Sequence, residues 1–344
     1  MVVWKQTTGA RTEFKMSHWL ITGGRGFIGT NLIYFLQKNY PEIKIRILDN
    51  ASPGSPLFTP YLRGRGEKEA EAPELIVGDV RDPKICLSSC EGIDTVIHLA
   101  ANAGVPRSIE EPLFDLESNV LGTFHMLQAA RKQNVKKFIF ASSAAPLGNV
   151  ELPIHEERTP HPISPYGASK LAGEAYCQVF YHSYQLSTIA LRFGNVYGPY
   201  SNGKDSVVAK FIKEALNGEV LNIYGDGNQT RDFIYTEDLI EAIWLSANSK
   251  WGGEIFQIST NHETTVNALA DLIAELLALK GIRATIVRTH ERAGDIKNSY
   301  ADISKAQKLL SYKVKHTLRE GLQKTVDYFF EASMKSPLRP RDEL

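Results

Sequence analysis

The sequence predicts an α/β fold, a doubly wound sheet of parallel strands with helices on both faces and a smaller α/β lobe towards the C-terminus. Three observations carry this. Residues 18–50 read as one strand–glycine turn–helix–strand unit, and further short apolar runs alternate with helical spacing as far as residue 193. A chain of 344 residues also exceeds what one compact core usually holds.

In order, HWLIT at 18–22 is a short apolar run that breaks into GGRGFIG at 23–29, and TNLIYFLQKN at 30–39 has helical spacing. KIRILDN at 44–50 is the second strand. Residues 51–73, rich in proline, glycine and charge, form a loop with no evident chemistry. Strands follow at ELIVGD (74–79), TVIHLA (95–100), KFIFASS (137–143) and STIALRF (187–193), with helices at 120–133 and 166–184. Such alternation implies a parallel sheet covered on both faces. Past Gly194 the rhythm loosens: 207–218 and 265–281 have helical spacing, and IFQIS at 255–259 returns to the sheet.

Composition excludes several classes. Apolar residues are 43% and charged residues 23%, an ordinary globular balance. Lys+Arg and Asp+Glu number 39 each, so no global basic field argues for nucleic acid or an anionic membrane. No apolar run reaches the roughly 18 residues that span a bilayer. Cys86, Cys90 and Cys177 cannot make a disulfide framework, and no His/Cys cluster accompanies the first two to complete a metal site, so reduced structural thiols and no metal are expected. Residues 1–16 carry charge without an apolar h-region and read as a tail, with Met16 as an alternative start. The final RDEL resembles a retention signal without an entry signal, and a cytoplasmic location is expected.

Gly23, Gly26 and Gly29 form G-x-x-G-x-x-G between a strand and a helix, with Phe27 and Ile28 inside it. Glycine permits the tight turn and close approach to a pyrophosphate, which the helix N-terminus then favours. Asp49, with Asn50 beside it, ends the next strand twenty residues after Gly29. A carboxylate there accepts ribose hydroxyls and repels a 2′-phosphate, so NAD is expected over NADP, against the nearby Arg25 and Arg46. Asp79, followed by Val80, ends the third strand, where it either accepts the adenine amino group or caps its loop; the cofactor role is preferred. Leu99, Ala100 and Ala101 of HLAANAGV lie where a dinucleotide crosses the sheet edge, and His98 reads as a packed strand histidine. The sheet is thus expected to be of Rossmann type.

SPYGASK at 164–170 carries the chemistry. Ser164 suits an N-cap, Pro165 the first helical position, and Tyr166 the first turn, with Lys170 at i+4 on the same face. A phenol titrates near 10, and an adjacent ammonium and helix N-terminus are expected to bring it towards a working base. Ser142 and Ser143 end the strand KFIFASS, where a hydroxyl can relay a proton from a substrate oxygen; Ser143 is the preferred participant and Ser142 its support.

TGGRGFIG, GDVRD, HLAANAGV, SPYGASK and RFGNVYGP together resemble the extended short-chain dehydrogenase/reductases, in their nucleotide-sugar epimerase/dehydratase branch, over roughly residues 17 to 335. The resemblance implies an NAD-binding domain over 17–193 with about 229–259, and a nucleotide-sugar lobe over 194–228 with about 260–335. Residues 1–16 and 336–344 are left as tails. It further implies that Ser143, Tyr166 and Lys170 remove a sugar hydroxyl proton while hydride passes to NAD. Family dehydratases and decarboxylases carry acids just after the catalytic hydroxyl; here those positions are Ala144 and Ala145, which cannot move the proton that elimination needs. The expectation is a 4-epimerase of a UDP-hexose or UDP-N-acetylhexosamine. A UDP-glucuronate 4-epimerase, a 4-ketosugar reductase and a non-enzymatic sensor are the alternatives.

The resemblance also places the sugar nucleotide. Arg231 and Arg292 match diphosphate-binding arginines, Asp295 a ribose-binding acid and Asn195 a diphosphate or sugar contact. Asn202 stands where uronate-accepting relatives often have arginine, although Lys204 is close. Ser299 matches a gatekeeper whose small size admits a 2-acetamido group. Pro146-Leu147-Gly148 departs from the usual V-Y-G and is expected to be a loop-packing change. Helices at 113–133 and 166–184 resemble the family's four-helix dimer interface, so a homodimer is expected.

Overall fold

Seven parallel strands form the central sheet of the computed structural model, which describes residues 17–51, 72–290 and 297–335. In chain order the strands are β1 (His18–Thr22), β2 (Lys44–Asp49), β3 (Glu74–Val77), β4 (Thr95–His98), β5 (Lys137–Ser143), β6 (Ser187–Phe193) and β7 (Asn195–Tyr197). They continue with β8 (Val220–Tyr224), β9 (Thr230–Arg231), β10 (Phe233–Tyr235), β11 (Glu254–Ile258), β12 (Thr264–Thr265) and β13 (Thr285–Thr289). The sheet runs β3-β2-β1-β4-β5-β6-β11, so IFQIS does return to it. The order reverses between β1 and β4, and in open α/β sheets the crevice for a ligand lies at the carboxyl ends of the strands beside that switch.

The helices are α1 (Phe27–Asn39), α2 (Pro83–Ser89), α3 (Val105–Glu110), α4 (Pro112–Asp115), α5 (Gly122–Lys132) and α6 (Pro165–Tyr184). After them come α7 (Val207–Leu216), α8 (Thr236–Ala247), α9 (Val266–Ala278), α10 (Ser304–Leu310) and α11 (Leu318–Lys335). Because successive strand side chains alternate, one face of the sheet presents Leu20, Val96 and Phe138 to α2, α5 and α6. The other presents Ile21, Ile97 and Ile139 to α1, α8 and α10. A separate apolar core gathers α7, α9 and α11 around β8, with Phe211, Ile223, Ile273 and Leu322 inside it. Cys86, Cys90 and Cys177 are buried free thiols; burial pushes Cys86 and Cys90 up to about 12, which keeps them protonated.

Two local departures bear on the site. The helix expected from residue 120 begins at Gly122, after a π-helical turn over Leu116–Leu121 that continues α4. The Pro146-Leu147 departure forms a 3₁₀ turn, Ala145–Leu147, in which Leu147 is fully buried against Ile154 and Ala301. Backbone hydrogen bonds from Ile154 to Tyr300 (2.9 Å) and from Asp302 to Ile154 (2.8 Å) bind those two segments together. Leu147→Ala should lower the unfolding free energy by about 2–5 kcal/mol through the cavity it leaves. Leu147→Met should cost less than about 1.5 kcal/mol, with denaturant titration as the measurement.

Candidate active site

The glycine loop turns directly above the β1–β4 switch. Gly23 has φ +67°, and a Cβ there would lie 2.8 Å from the Ala100 nitrogen; one on Gly29 would lie 2.6 Å from the Gly23 carbonyl. Both positions therefore require glycine. α1 starts with no side-chain cap and no acid in its first turn; the Gly26 N–H donates to the Gly23 carbonyl at 3.0 Å, and the N–H groups of Phe27 and Ile28 that follow are suited to a diphosphate. Asp49 is buried at the end of β2, with its two oxygens accepting the N–H groups of Arg25 and Ala51, each at 2.9 Å. Their remaining lone pairs suit ribose hydroxyls. Arg46 points to other work: it binds Glu74 at 2.7 Å and the carbonyls of Ser89 and Glu91 at 3.0 and 2.8 Å. These residues fit NAD.

At the end of β3 the structure gives Asp79 the loop-capping role. Its carboxylate accepts the Arg81 backbone at 2.9 Å and the Arg81 guanidinium at 3.0 and 2.9 Å, and it also bonds Asn50. Burial works to raise its pKa, but the Arg81 hydrogen bonds outweigh this and hold it below the ordinary carboxyl value. The Val80 side chain turns into the core, and its carbonyl accepts from Cys86 Sγ at 3.2 Å. His98 is a packed strand histidine, as expected. Thr22 Oγ1 lies 2.7 Å from its Nδ1, and its Nε2 lies 3.1 Å from Thr123 Oγ1, which donates to the Asn119 carbonyl at 2.6 Å. Thr123 thus accepts from Nε2–H, and Thr22 donates to Nδ1 while accepting the Ala100 N–H at 3.1 Å. This chain sets the Leu99–Ala100–Ala101 edge against β1. Burial drives His98 down to about 3, so it is neutral.

Ser164 caps α6, its Oγ accepting the Gly167 N–H at 3.1 Å, with Pro165 at the helix start. Tyr166 stands near Ser143, whose Oγ accepts the Ala145 N–H at 3.2 Å. Lys170 donates to the Ala141 carbonyl at 2.8 Å, with its ammonium 5.7 Å from the Tyr166 ring centroid. The phenol does not sit in the working range that the sequence suggested. Burial pushes it up to about 12, the nearby Ser143 hydroxyl draws it down, and Asp115 raises it again. Burial likewise lowers Lys170 to about 8, opposed by Asp115 and Glu174.

Ser142 corrects another expectation. It is buried and donates to Glu174 at 2.5 Å instead of facing the substrate side, because neighbouring strand residues point to opposite faces. Glu174 in turn holds Arg192 through two bonds of 2.8 Å, with both side chains 2% exposed. Sequence reading also missed Asp115, the last residue of α4, and Asn119 on the π-helical turn that continues it. Asn119 Nδ2 donates to Asp115 at 2.8 Å and to the Asn102 carbonyl at 3.0 Å, beneath α6. The turn's irregular spacing hides them from a period of 3.6.

In the smaller lobe, register pairs Asn195 with Phe233 of β10, and its N–H donates at 2.9 Å to the carbonyl of Asp232, the residue after Arg231 of β9. Asn195 is exposed, Arg231 partly so, and the Arg231 guanidinium donates to the Thr230 carbonyl at 2.7 Å. Ser299 is half-buried next to Tyr300, which pairs with Ile154 beyond the end of β5. Arg292 and Asp295 lie outside the described residues.

The Lys170 shift has a testable sign. Its folded value near 8 lies below the ordinary 10.5, so between those limits the unfolded chain binds more protons and stability rises with pH. The unfolding free energy of wild type minus that of Lys170→Met should be flat below about pH 8 and climb towards 10.5 in guanidinium titrations.

Comparison with known proteins follows the same lines. A putative UDP-glucose 4-epimerase of Methanocaldococcus jannaschii is 36% identical, covering 90% of this chain and 97% of that protein. A UDP-glucuronate 4-epimerase of Thermodesulfobacterium geofontis is 31% identical, covering 91% of this chain and 96% of that protein. The solved UDP-N-acetylglucosamine 4-epimerase of Methanobrevibacter ruminantium, in complex with UDP-N-acetylmuramic acid, superposes with a TM-score of 0.81. It is 35% identical and covers 93% of this chain and 100% of that one. Residues 19–259 match the model of the NAD dependent epimerase/dehydratase family, and the chain belongs to that family.

Proposed function

We propose that the protein is an NAD-dependent 4-epimerase of a UDP-sugar, with UDP-hexoses or UDP-N-acetylhexosamines as substrates. The observation that carries this is the placement of Ser143 and Lys170 beside Tyr166 at the end of β5, next to a glycine loop suited to NAD, with alanines at 144 and 145. NAD held by the glycine loop at 23–29 and Asp49 would supply a reversible hydride acceptor for C4 of the sugar. Tyr166, once its phenol has been deprotonated against the upward push of burial, takes the C4 hydroxyl proton, and Ser143 holds the reacting oxygen against it. Lys170 braces the site from the Ala141 carbonyl. After the 4-keto sugar turns over, Tyr166 returns the proton as the opposite face of C4 is reduced. Ala144 and Ala145 offer no acid or base, so elimination of water has no agent. Asn195 and Arg231, with Arg292 and Asp295, are assigned to the nucleotide, and Ser299 to tolerance of a 2-acetamido group.

The protein is read as a homodimer through α3–α6. Ile109, Leu113, Leu116 and Val179 are exposed there, at 62, 68, 49 and 46%. An apolar surface of that kind marks an interaction face. Leu113→Glu combined with Val179→Glu should halve the mass seen by light scattering.

NMR product analysis after incubation with UDP-glucose, UDP-N-acetylglucosamine and UDP-glucuronate, without added reductant, tests the activity. A C4-inverted product is expected from the first two; inversion confined to UDP-glucuronate would move the substrate to the uronate class. Unchanged sugars in all three would defeat the epimerase reading. Tyr166→Phe should keep NAD and lose about 10²–10⁴-fold in kcat.

A further inference from the structure

We infer that Lys204 is a cation for a diphosphate held at the start of α1. This rests on the proposed reading of the chain as an NAD- and sugar-nucleotide-binding enzyme, and it assigns a contact that neither the glycine loop nor Arg231 makes.

Three observations carry it. The Lys204 ammonium lies 5.3 Å from the ring centroid of Phe27, the first residue of the uncapped α1. Its one hydrogen bond is long, 3.3 Å to the Val196 carbonyl, which leaves donors unused. Neighbouring lysines are paired with acids, Lys210 with Glu214 at 3.6 Å and Lys213 with Asp205 at 3.7 Å. Among the described residues Lys204 has no such partner. A desolvated ammonium without a counter-ion is unfavourable, and desolvation lowers its pKa to about 8. An anion arriving at α1 would reverse that.

The position is also held by design of the backbone. Asn31 on α1 donates to both the Phe27 carbonyl (2.8 Å) and the Pro199 carbonyl (2.9 Å), stitching the helix start to the loop after β7. Lys204 N donates to Ser201 O at 2.9 Å, and Lys213 grips the Lys204 carbonyl at 3.1 Å. The ammonium therefore comes from the smaller lobe yet stands against the cofactor loop. Two diphosphates meet these requirements, that of the dinucleotide and that of the sugar nucleotide.

The test is equilibrium dialysis with NAD and calorimetric titration of the NAD-loaded protein with UDP and, separately, UDP-glucuronate, for wild type, Lys204→Met and Lys204→Arg. Lys204→Met should weaken one affinity roughly tenfold and flatten its salt dependence, while Lys204→Arg restores most of it. A loss on the NAD arm assigns the dinucleotide, and a loss on the UDP arm the sugar nucleotide. Should Lys204→Met fold poorly by thermal melting, Lys204→Gln takes its place. Unchanged affinities on both arms would overturn the inference, as would a loss seen only with UDP-glucuronate, which would put a sugar carboxylate on Lys204. Wild type that binds neither ligand would sink this and the proposed function together. Binding of both ligands without turnover of any sugar would sink only the epimerase reading.

Discussion

Much of the site depends on how α6 is clamped to the end of β5. Two side chains one helical turn apart do this: Lys170 donates to the Ala141 carbonyl, and Glu174 accepts from Ser142. Arg192, on the next strand, closes the set with two bonds to Glu174. A charged pair buried this deeply gains little net stability over apolar packing, but it is severely destabilising when one partner is lost. Its value is directional. It fixes the rotation of α6 about its axis, and with it the distance between Tyr166 and Ser143.

Other parts of the fold transmit that placement outwards. Leu147 fills a small core with Ile154 and Ala301. The chain carrying Ser299 is thereby tied to the region just beyond the catalytic strand. The residue proposed to gauge the sugar and the residue proposed to deprotonate it thus share a rigid support. Asn31 makes a second tie of this kind, between the cofactor helix and the smaller lobe.

Most of the fold was legible in the sequence because its strands are short apolar runs and its crossover helices are periodic. β1, β2, β5 and β6 fall where those runs stand. β7, β9, β10 and β12 have two or three residues each, too few to show any period. The glycine loop, Tyr166 and Lys170 were legible because turn chemistry and i+4 spacing are local. What a side chain faces is not local. Ser142 and Ser143 look equivalent as letters, yet one joins a buried ion pair and the other meets Tyr166. The Tyr166 phenol was placed too low for the same reason, since the weight of burial against charge depends on packing from α4 and the π-helical turn.

The histidine on β4 has one more consequence. With Nε2–H committed to Thr123, Nδ1 committed to Thr22 and a pKa near 3, its ring neither gains a proton nor swaps tautomers anywhere in the range where cells operate. Histidine is usually the residue that makes a structure answer to acidity. Here it serves as an uncharged rivet between two strands and a helix. The ledge along which the dinucleotide is expected to lie should keep one shape from a mildly acid medium to an alkaline one. Any response of the enzyme to pH must then originate in groups other than this histidine.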